Sequence, residues 1–198
     1  MGICKGLKSA KTQENVGISL KAFIDSLRTI SDLLKKDEFR NYVMELLIVG
    51  IPNNNPENQV LCLQCILEIS RIFYSAFGTY MEKIVEVSIQ CLKSQSEDVI
   101  TMTAELWANF SDQELAMKKN FLRTNPGQRF SGLIIRYKDH IVPRLMLNLL
   151  HVDTNAFEMG EEEVKSLFAS SFRALTKLNS LLMSELEAMN MEFIQSKA

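Results

Sequence analysis

The residues best suited to chemistry in this 198-residue chain are Cys62 and Cys65, which form a C-x-x-C pair. Such a pair can hold zinc or exchange disulfides. The pair lies inside the apolar helical run 60–67, and neither a second C-x-x-C nor a nearby histidine completes a set of zinc ligands. Small buried thiols are common in reducing compartments, so we interpret both cysteines as core residues. A redox or metal protein stays open as the least favoured alternative.

The two histidines, His140 and His151, stand at the ends of one predicted helix, and no cysteine or carboxylate pattern accompanies them. The chain also lacks a glycine-rich phosphate loop. We therefore predict no catalytic residue, no metal and no cofactor, and we expect a protein that is not an enzyme.

The charge and the apolar runs of the chain limit the kinds of partner that it is expected to bind. The net charge of -2 and the scattered lysines and arginines do not favour direct binding of nucleic acid. Apolar runs such as residues 45–51 are far shorter than the roughly 20 residues of a membrane span, so we expect no insertion into a membrane. With 46% hydrophobic residues, the chain can bury a substantial core.

The elements that carry these residues are predicted to be helices throughout. Alternation typical of strands never persists, whereas residues 97–110 place Val99, Thr103, Leu106, Trp107 and Phe110 on one helical stripe. Trp107 shares this stripe with Phe110, and we expect it to lie in the core.

The same stripe recurs along the chain. If Val16, Leu61, Val99 and Val164 are taken as equivalent, an apolar pair stands 8 and 11 residues after each of them. These pairs are Ile24 and Leu27, Ile69 and Ile72, Trp107 and Phe110, and Phe172 and Leu175. The spacings from Val16 to Leu61 and from Leu61 to Val99 suit helix-pair repeats of roughly 40 to 47 residues. The longer spacing from Val99 to Val164 requires an insertion.

We therefore predict a single all-α domain of about four stacked helix pairs. The repeats are expected at residues 1–36, 37–77, 78–114 and 133–182, with a basic, irregular insertion at 115–137 and the start of a further repeat, an outer helix, at 185–198. Unbroken inner helices are predicted over 14–35 and 57–77. Both ends fall inside a repeat, so we expect a segment of a longer solenoid.

Several motifs resemble the importin-β family. The run Ala-Glu-Leu-Trp-Ala-Asn-Phe-Ser-Asp-Gln-Glu at 104–114, after Ser-Glu-Asp-Val at 96–99, resembles the family's seventh HEAT repeat. Leu63-Gln64 and Thr79-Tyr-Met81 are similar to its sixth and seventh repeats, and His-Ile-Val-Pro at 140–143 to the opening of its eighth. The likeness runs through essentially the whole chain and implies a HEAT-repeat solenoid with a right-handed superhelix.

That resemblance implies a nuclear transport receptor found in the cytoplasm, in the nucleus and at the nuclear pore and envelope. Its inner helices would hold importin-α or a cargo import signal and Ran-GTP, and its outer helices would bind Phe-Gly nucleoporins. A HEAT or armadillo scaffold outside nuclear transport, such as a phosphatase or trafficking adaptor, is the alternative.

Carried onto this sequence, the resemblance points to two sets of contact residues. The expected Phe-Gly site comprises Ile3, Leu7, Tyr42, Val43, Leu46, Tyr80 and Ile84, for which packing between helices is the competing explanation. The expected cargo, importin-α or Ran contacts are Glu105, Asn109, Asp112 and Glu114, with Asp153, Glu158, Glu161, Glu162 and Glu163 in an acidic connection.

A solvated helix face explains the first four of these contacts as well, and the helix macrodipole explains the glutamates at 161–163. In the importin-β family the acidic loop of the eighth repeat has a run of aspartates followed by a tryptophan. The acidic connection of this chain departs from that pattern because it has fewer acidic residues and no tryptophan.

Overall fold

The fold is that of a computed structural model, which describes residues 12–125, 130–155 and 161–195, with side chains described at 12–125, 130–150 and 166–183. The helices are α1 (Gln13–Ser26), α2 (Ser31–Leu34), α3 (Asp37–Asn53), α4 (Pro56–Phe73), α5 (Met81–Cys91), α6 (Glu97–Thr124), α7 (Leu133–Asn155) and α8 (Glu161–Gln195). A 3-10 helix, Tyr74–Thr79, follows α4. No strand occurs in these ranges, so the prediction of an all-α protein is confirmed.

The helices stack in two layers. In the inner layer α1 packs on α4, α4 on α6, and α6 on α8, whereas in the outer layer α3 packs on α5 and α5 on α7. Helices of the two layers also contact each other within a pair, as α4 does with α3 and α8 with α7. This is the arrangement of a helix-pair solenoid, in which each repeat contacts mainly its neighbours.

Local sequence starts the inner helices at well-defined residues. The Thr12 hydroxyl caps α1 by accepting a hydrogen bond from the backbone N–H of Asn15 at 3.3 Å. The Asn55 side chain caps α4 by accepting from the N–H of Asn58 at 3.0 Å, and Pro56 occupies the first turn, where its missing N–H costs nothing. The local sequence therefore sets the residues at which α1 and α4 begin.

An aromatic cluster fills the centre of the core. The ring of Phe110 lies 5.6 Å from each of Tyr74, Phe77 and Trp107, measured between centroids, with tilted or edge-to-face geometry. Aromatic rings favour such arrangements because the positive edge of one meets the negative face of another. Trp107 is completely buried, which confirms the prediction that it belongs to the core.

Several predicted helix boundaries are wrong. The helix expected over 14–35 ends at Ser26 and resumes briefly as α2, and the helix expected over 57–77 changes to 3-10 geometry after Phe73. Conversely, α6 continues through residues 115–124, where irregular structure was expected, and α8 is unbroken to Gln195, where a separate outer helix was expected from residue 185. Neither stretch contains glycine or proline, so nothing in it terminates a helix.

The register of α8 also differs from the prediction. Phe172 was expected inside, yet 55% of its surface is exposed, and so is 44% of the surface of Phe168, one turn before it. Leu167, Ser171 and Ala174 are buried instead, which moves the buried stripe by one residue. The contact between α6 and α8 is the most extensive of the described helix pairs. Small side chains permit this close approach, whereas a search for large apolar residues passes over them.

By length and composition, Pro56–Thr79 is apolar enough to cross a membrane, and half of the relevant stretch is buried. This segment comprises α4 and the 3-10 helix, and α4 packs between α1 and α6 in the inner layer. Packing inside the array accounts for its apolar character.

Candidate protein-interaction grooves

An inner groove of about 690 Å³ runs across the first turns of α1, α4 and α6. Its acidic residues are Glu14, Glu57, Asp98 and Glu105, and its apolar residues are Ile18, Val60, Leu61 and Met102. Lys21 is the cation among the described lining residues, so carboxylates outnumber cations by four to one. The groove therefore combines an aliphatic floor with a negative rim.

One end of the inner groove is held rigid by hydrogen bonds between α1 and α4. The buried Asn58 amide donates to the backbone carbonyl of Gln13 at 2.7 Å and to its side-chain oxygen at 2.8 Å. Gly17 allows this proximity, because a Cβ there would lie 2.8 Å from the Asn58 Oδ1 atom. The groove is thus a preformed feature of the packing between the two helices.

A smaller pocket of about 200 Å³ continues the inner surface between α6 and α8. It shares Thr101 and Glu105 with the inner groove and adds Ser170 and Arg173 from α8. Farther along the same two helices, Lys177 and Asp112 form an ion pair at 2.8 Å, both about 40% exposed. Negative charge on this surface is consequently concentrated near the starts of the inner helices.

The structure separates the inner-face residues predicted from sequence. Glu105 is exposed on the rim of the inner groove, as a contact residue must be. Asn109 accepts a hydrogen bond from the Ser70 hydroxyl at 3.1 Å, and Asp112 pairs with Lys177, so both of these polar groups join neighbouring inner helices.

Glu114 is not a surface residue, and its predicted role as a contact is wrong. Its side chain is 1% exposed and accepts hydrogen bonds from the Tyr74 hydroxyl at 3.0 Å and from the backbone N–H of Ile134 at 2.9 Å. Burial, together with the nearby Glu114 carboxylate, raises the pKa of Tyr74 far above its usual range. Glu114 therefore joins the 3-10 helix and the first turn of α7 to α6.

The acidic connection can be placed only in part. Asp153 lies in the last turns of α7, and residues 161–163 form the first turn of α8, but their side chains are not described. Glu158 lies outside the described residues, as do Ile3 and Leu7 of the predicted Phe-Gly site. Their proposed contacts stay predictions.

A second groove of about 440 Å³, which we call the outer groove, lies between α1 of the inner layer and α3 of the outer layer. Tyr42 and Leu46, both predicted for the Phe-Gly site, line it together with Val49, Val16 and Leu20. The half-exposed Val49 was missed, because it stands inside the apolar run 45–51, where the sequence does not show which residue is exposed.

The remaining described residues of the predicted Phe-Gly site are core residues. Val43 is 3% exposed, Ile84 is fully buried, and Tyr80 is buried with its hydroxyl donating to the Asn41 side chain. Their prediction as surface contacts is wrong, because α3 and α5 pack closely enough to enclose them.

Three of the inner-groove acids, Glu14, Glu57 and Asp98, were likewise missed. A signal was present, since each stands in the first turn of a predicted inner helix. That position also suits the helix macrodipole, so sequence alone does not distinguish a binding rim from helix stabilisation.

The C-x-x-C pair does not have the character of a redox or metal site. Cys62 and Cys65 are buried free thiols. Burial raises the pKa of Cys62 to about 12 and the pKa of Cys65 well above its usual value. Metal binding and disulfide exchange need the thiolate, which this environment disfavours. The part of the chain that the structure describes also contains no metal-binding group of three or more histidines, cysteines or carboxylates.

Helix pairs stacked in two layers define a helical-repeat protein. Over 76% of its length the chain is 28% identical to Importin subunit beta-1 of Saccharomyces cerevisiae, and over 71% it is 23% identical to that of Schizosaccharomyces pombe. These matches cover 18% and 17% of the two relatives, so the chain spans about a fifth of their length. The predicted resemblance to the importin-β family is confirmed.

The fold of the chain matches the solved structure of Kap95p with a TM-score of 0.76. That structure comes from a study of how Kap95p binding induces the switch loops of RanGDP to adopt the GTP-bound conformation. That match covers 88% of this chain and 20% of Kap95p at 22% identity. It confirms the predicted HEAT-repeat fold. No protein-family model matches the chain.

Proposed function

We propose that this chain is a segment of a nuclear transport receptor whose inner groove binds a basic segment of an import cargo or of importin-α. The observation that carries the proposal is the negative rim of the inner groove, on a chain similar to Importin subunit beta-1. Lysine and arginine form charge-assisted hydrogen bonds with carboxylates, and their methylene stems pack on aliphatic surface. The rim and floor of the inner groove supply both kinds of contact. A receptor of this kind works in the cytoplasm, in the nucleus and at the nuclear pore.

Charge reversal on the rim tests the proposal. We expect Asp98→Lys with Glu105→Lys to weaken binding of a fluorescent lysine- and arginine-rich peptide by about tenfold or more, measured by anisotropy at low salt. The matched control reverses two exposed acids of α5, Glu82→Lys with Glu86→Lys, which changes the net charge equally but lies in the outer layer. Equal losses in both variants would show that only total charge matters and would contradict a site in the inner groove.

The outer groove is the part of the proposal that concerns Phe-Gly nucleoporins. Tyr42, Leu46 and Val49 provide an aromatic and aliphatic surface large enough for a phenylalanine ring, with a polar rim formed by Glu45 and Asn53. We expect a Phe-Gly peptide to shift the NMR signals of these residues, whereas a Ser-Gly peptide of equal length does not.

The variant Tyr42→Ala with Leu46→Ala should abolish the shifts that the Phe-Gly peptide causes, and Ile72→Ala, an exposed apolar residue outside the groove, should leave them unchanged. Shifts that persist in the double variant would exclude the outer groove as the binding site.

Binding of Ran-GTP is proposed from the similarity to Kap95p, whose structure is described in terms of RanGDP binding. The inner face is the proposed contact surface, with the acidic connection contributing. A pull-down comparing Ran loaded with GTP and with GDP tests this, and retention of the GTP form is expected. Failure to retain either Ran-GTP or the basic peptide would favour the alternative of a HEAT scaffold outside nuclear transport.

A further inference from the structure

The small pocket between α6 and α8 contains a cation that the proposed inner-groove contacts do not use. The pocket has a volume of about 200 Å³ and is lined by Thr101, Glu105, Ser166, Ala169, Ser170 and Arg173. Arg173 is the cation of this set, and both Arg173 and Glu105 are exposed. The pocket therefore brings one positive and one negative side chain to the same part of the inner surface.

Arg173 lies on the side of α8 that faces α6. Four residues farther along, Lys177 forms its ion pair with Asp112 of α6 at 2.8 Å, and residues four apart share one face of a helix. Arg173 also lines the pocket together with Thr101 of α6. The pocket thus lies between two neighbouring inner helices that are both part of the described chain.

The two cations on this side of α8 have different surroundings. Lys177 is neutralised by Asp112, whereas Arg173 forms no ion pair and no hydrogen bond with any residue that the structure describes. Glu105 lines the same pocket, but its carboxylate is not paired with the Arg173 guanidinium. A guanidinium is the side-chain group best shaped to bind a carboxylate, and this one is accessible to a carboxylate of a partner.

The inner groove leads directly to this pocket, because the two share Thr101 and Glu105. The inner groove crosses α1, α4 and α6. Neighbouring helices pack about 8–10 Å apart, so the groove spans about 20 Å, a distance that about six residues of extended chain cover. A bound segment that continues from the inner groove toward α8 consequently reaches Arg173 directly after Glu105.

We propose that Arg173 binds a carboxylate next to the basic segment of the partner, so the favoured partner sequence is a basic run with an aspartate or glutamate at one end. This inference rests on the proposed function of the inner groove and adds a sequence preference to it. The guanidinium can form two parallel hydrogen bonds with a carboxylate, and it repels a lysine or arginine at the same place. The four carboxylates of the inner groove thus select the basic run, and Arg173 selects the residue beside it.

Three labelled peptides with blocked ends test this preference on the complete chain. Each contains a run of about six lysines and arginines. The first has glutamine at both ends of the run, and the other two have glutamate in place of one glutamine, either before or after the run. One glutamate peptide should bind about two- to fivefold more tightly than the glutamine peptide, measured by anisotropy at low salt, which is the range of an exposed ion pair.

The other glutamate peptide should bind more weakly than the glutamine peptide. A bound segment runs in one direction, so its glutamate falls at the far end of the inner groove. There the added negative charge meets the carboxylates of the rim and not Arg173. The opposite responses of the two glutamate peptides separate a local contact from an effect of total peptide charge.

Variants of Arg173 show whether this residue causes the preference. In Arg173→Gln, both glutamate peptides should bind more weakly than the glutamine peptide, because the carboxylates of the inner groove then act alone. Arg173→Glu should favour a lysine in place of the preferred glutamate. The matched control, Lys83→Gln, removes an exposed cation from α5 in the outer layer and should keep the preference for glutamate.

A glutamate preference that is lost in Arg173→Gln but kept in the control supports the inference. Weaker binding of both glutamate peptides to the unaltered chain overturns it, as does a preference that persists in Arg173→Gln or is lost equally in the control. In those cases the basic-peptide site of the inner groove still stands. If no peptide binds, or if reversing the inner-groove acids weakens binding no more than reversing the α5 acids, the proposed function fails and this inference fails with it.

Discussion

Replacing the buried Glu114 with alanine is the sharpest test of how the array is held together. Its carboxylate accepts one hydrogen bond from the Tyr74 hydroxyl and one from the N–H of Ile134. Those donors belong to the 3-10 helix and to the first turn of α7, which lie far apart in sequence. Glu114→Ala removes the acceptor and leaves both donors buried.

The expected cost follows from these two bonds. A buried donor left without an acceptor costs about 1–3 kcal/mol, so two such donors give about 2–6 kcal/mol. Entry of water into the space left by the side chain would place the result in the lower half of that range. Glu114→Gln keeps an amide oxygen as acceptor and loses only the charge-assisted part, so we expect a loss of about 1–2 kcal/mol. Exposed Glu105→Ala should change stability by less than about 0.5 kcal/mol.

Urea unfolding followed by fluorescence measures these losses, because Trp107 is the chain's one tryptophan and is completely buried. The slope of free energy against urea should stay constant while the midpoint falls. Combining Glu114→Ala with Tyr74→Phe should cost less than the sum of the two single changes, because both remove the same bond. The reasoning would be refuted if Glu114→Ala cost no more than Glu105→Ala, or if the two changes added fully.

Two further predictions concern packing and titration. Gly132→Ala should destabilise the protein by about 1–3 kcal/mol, since a Cβ there would lie 1.7 Å from the Oε1 atom of Glu114, whose carboxylate is held in place through its other oxygen. Gly78→Ala meets only a contact at 3.5 Å and should be nearly neutral, and urea midpoints compare the two variants. Burial raises the pKa of Cys62 to about 12 and that of Cys91 to about 11, from 9.0. The unfolded chain therefore loses these thiol protons at a lower pH than the folded chain does. The contribution of the two thiols to the free energy of unfolding is fully present below about pH 9 and declines as the pH rises toward 11. Urea midpoints between about pH 8 and 10.5 should show this decline, and replacing both thiols with alanine should reduce it; an unchanged slope would contradict it.

The sequence determined the class of fold and the family resemblance, because both depend on local order. Helical spacing of apolar residues needs no knowledge of neighbours, and it correctly placed Trp107 and Phe110 in the core. The start of the helix predicted at residue 57 was equally readable, since proline and asparagine act on the backbone where they stand, and α4 begins at Pro56. The motifs at 96–114 and 140–143 were sufficient to indicate the importin-β family.

Only the tertiary structure decided which polar and apolar groups meet. Glu105 and Glu114 belong to one helix and one charge class, yet one lines a groove and the other is buried beneath α7, because α7 approaches only one of them. In the same way, the close packing of α8 on α6 selected Ser171 and Ala174 for the interior and left Phe172 outside. Spacing along a helix shows which residues share a face, but the distance to the next helix determines which face is buried and what size of side chain it accepts.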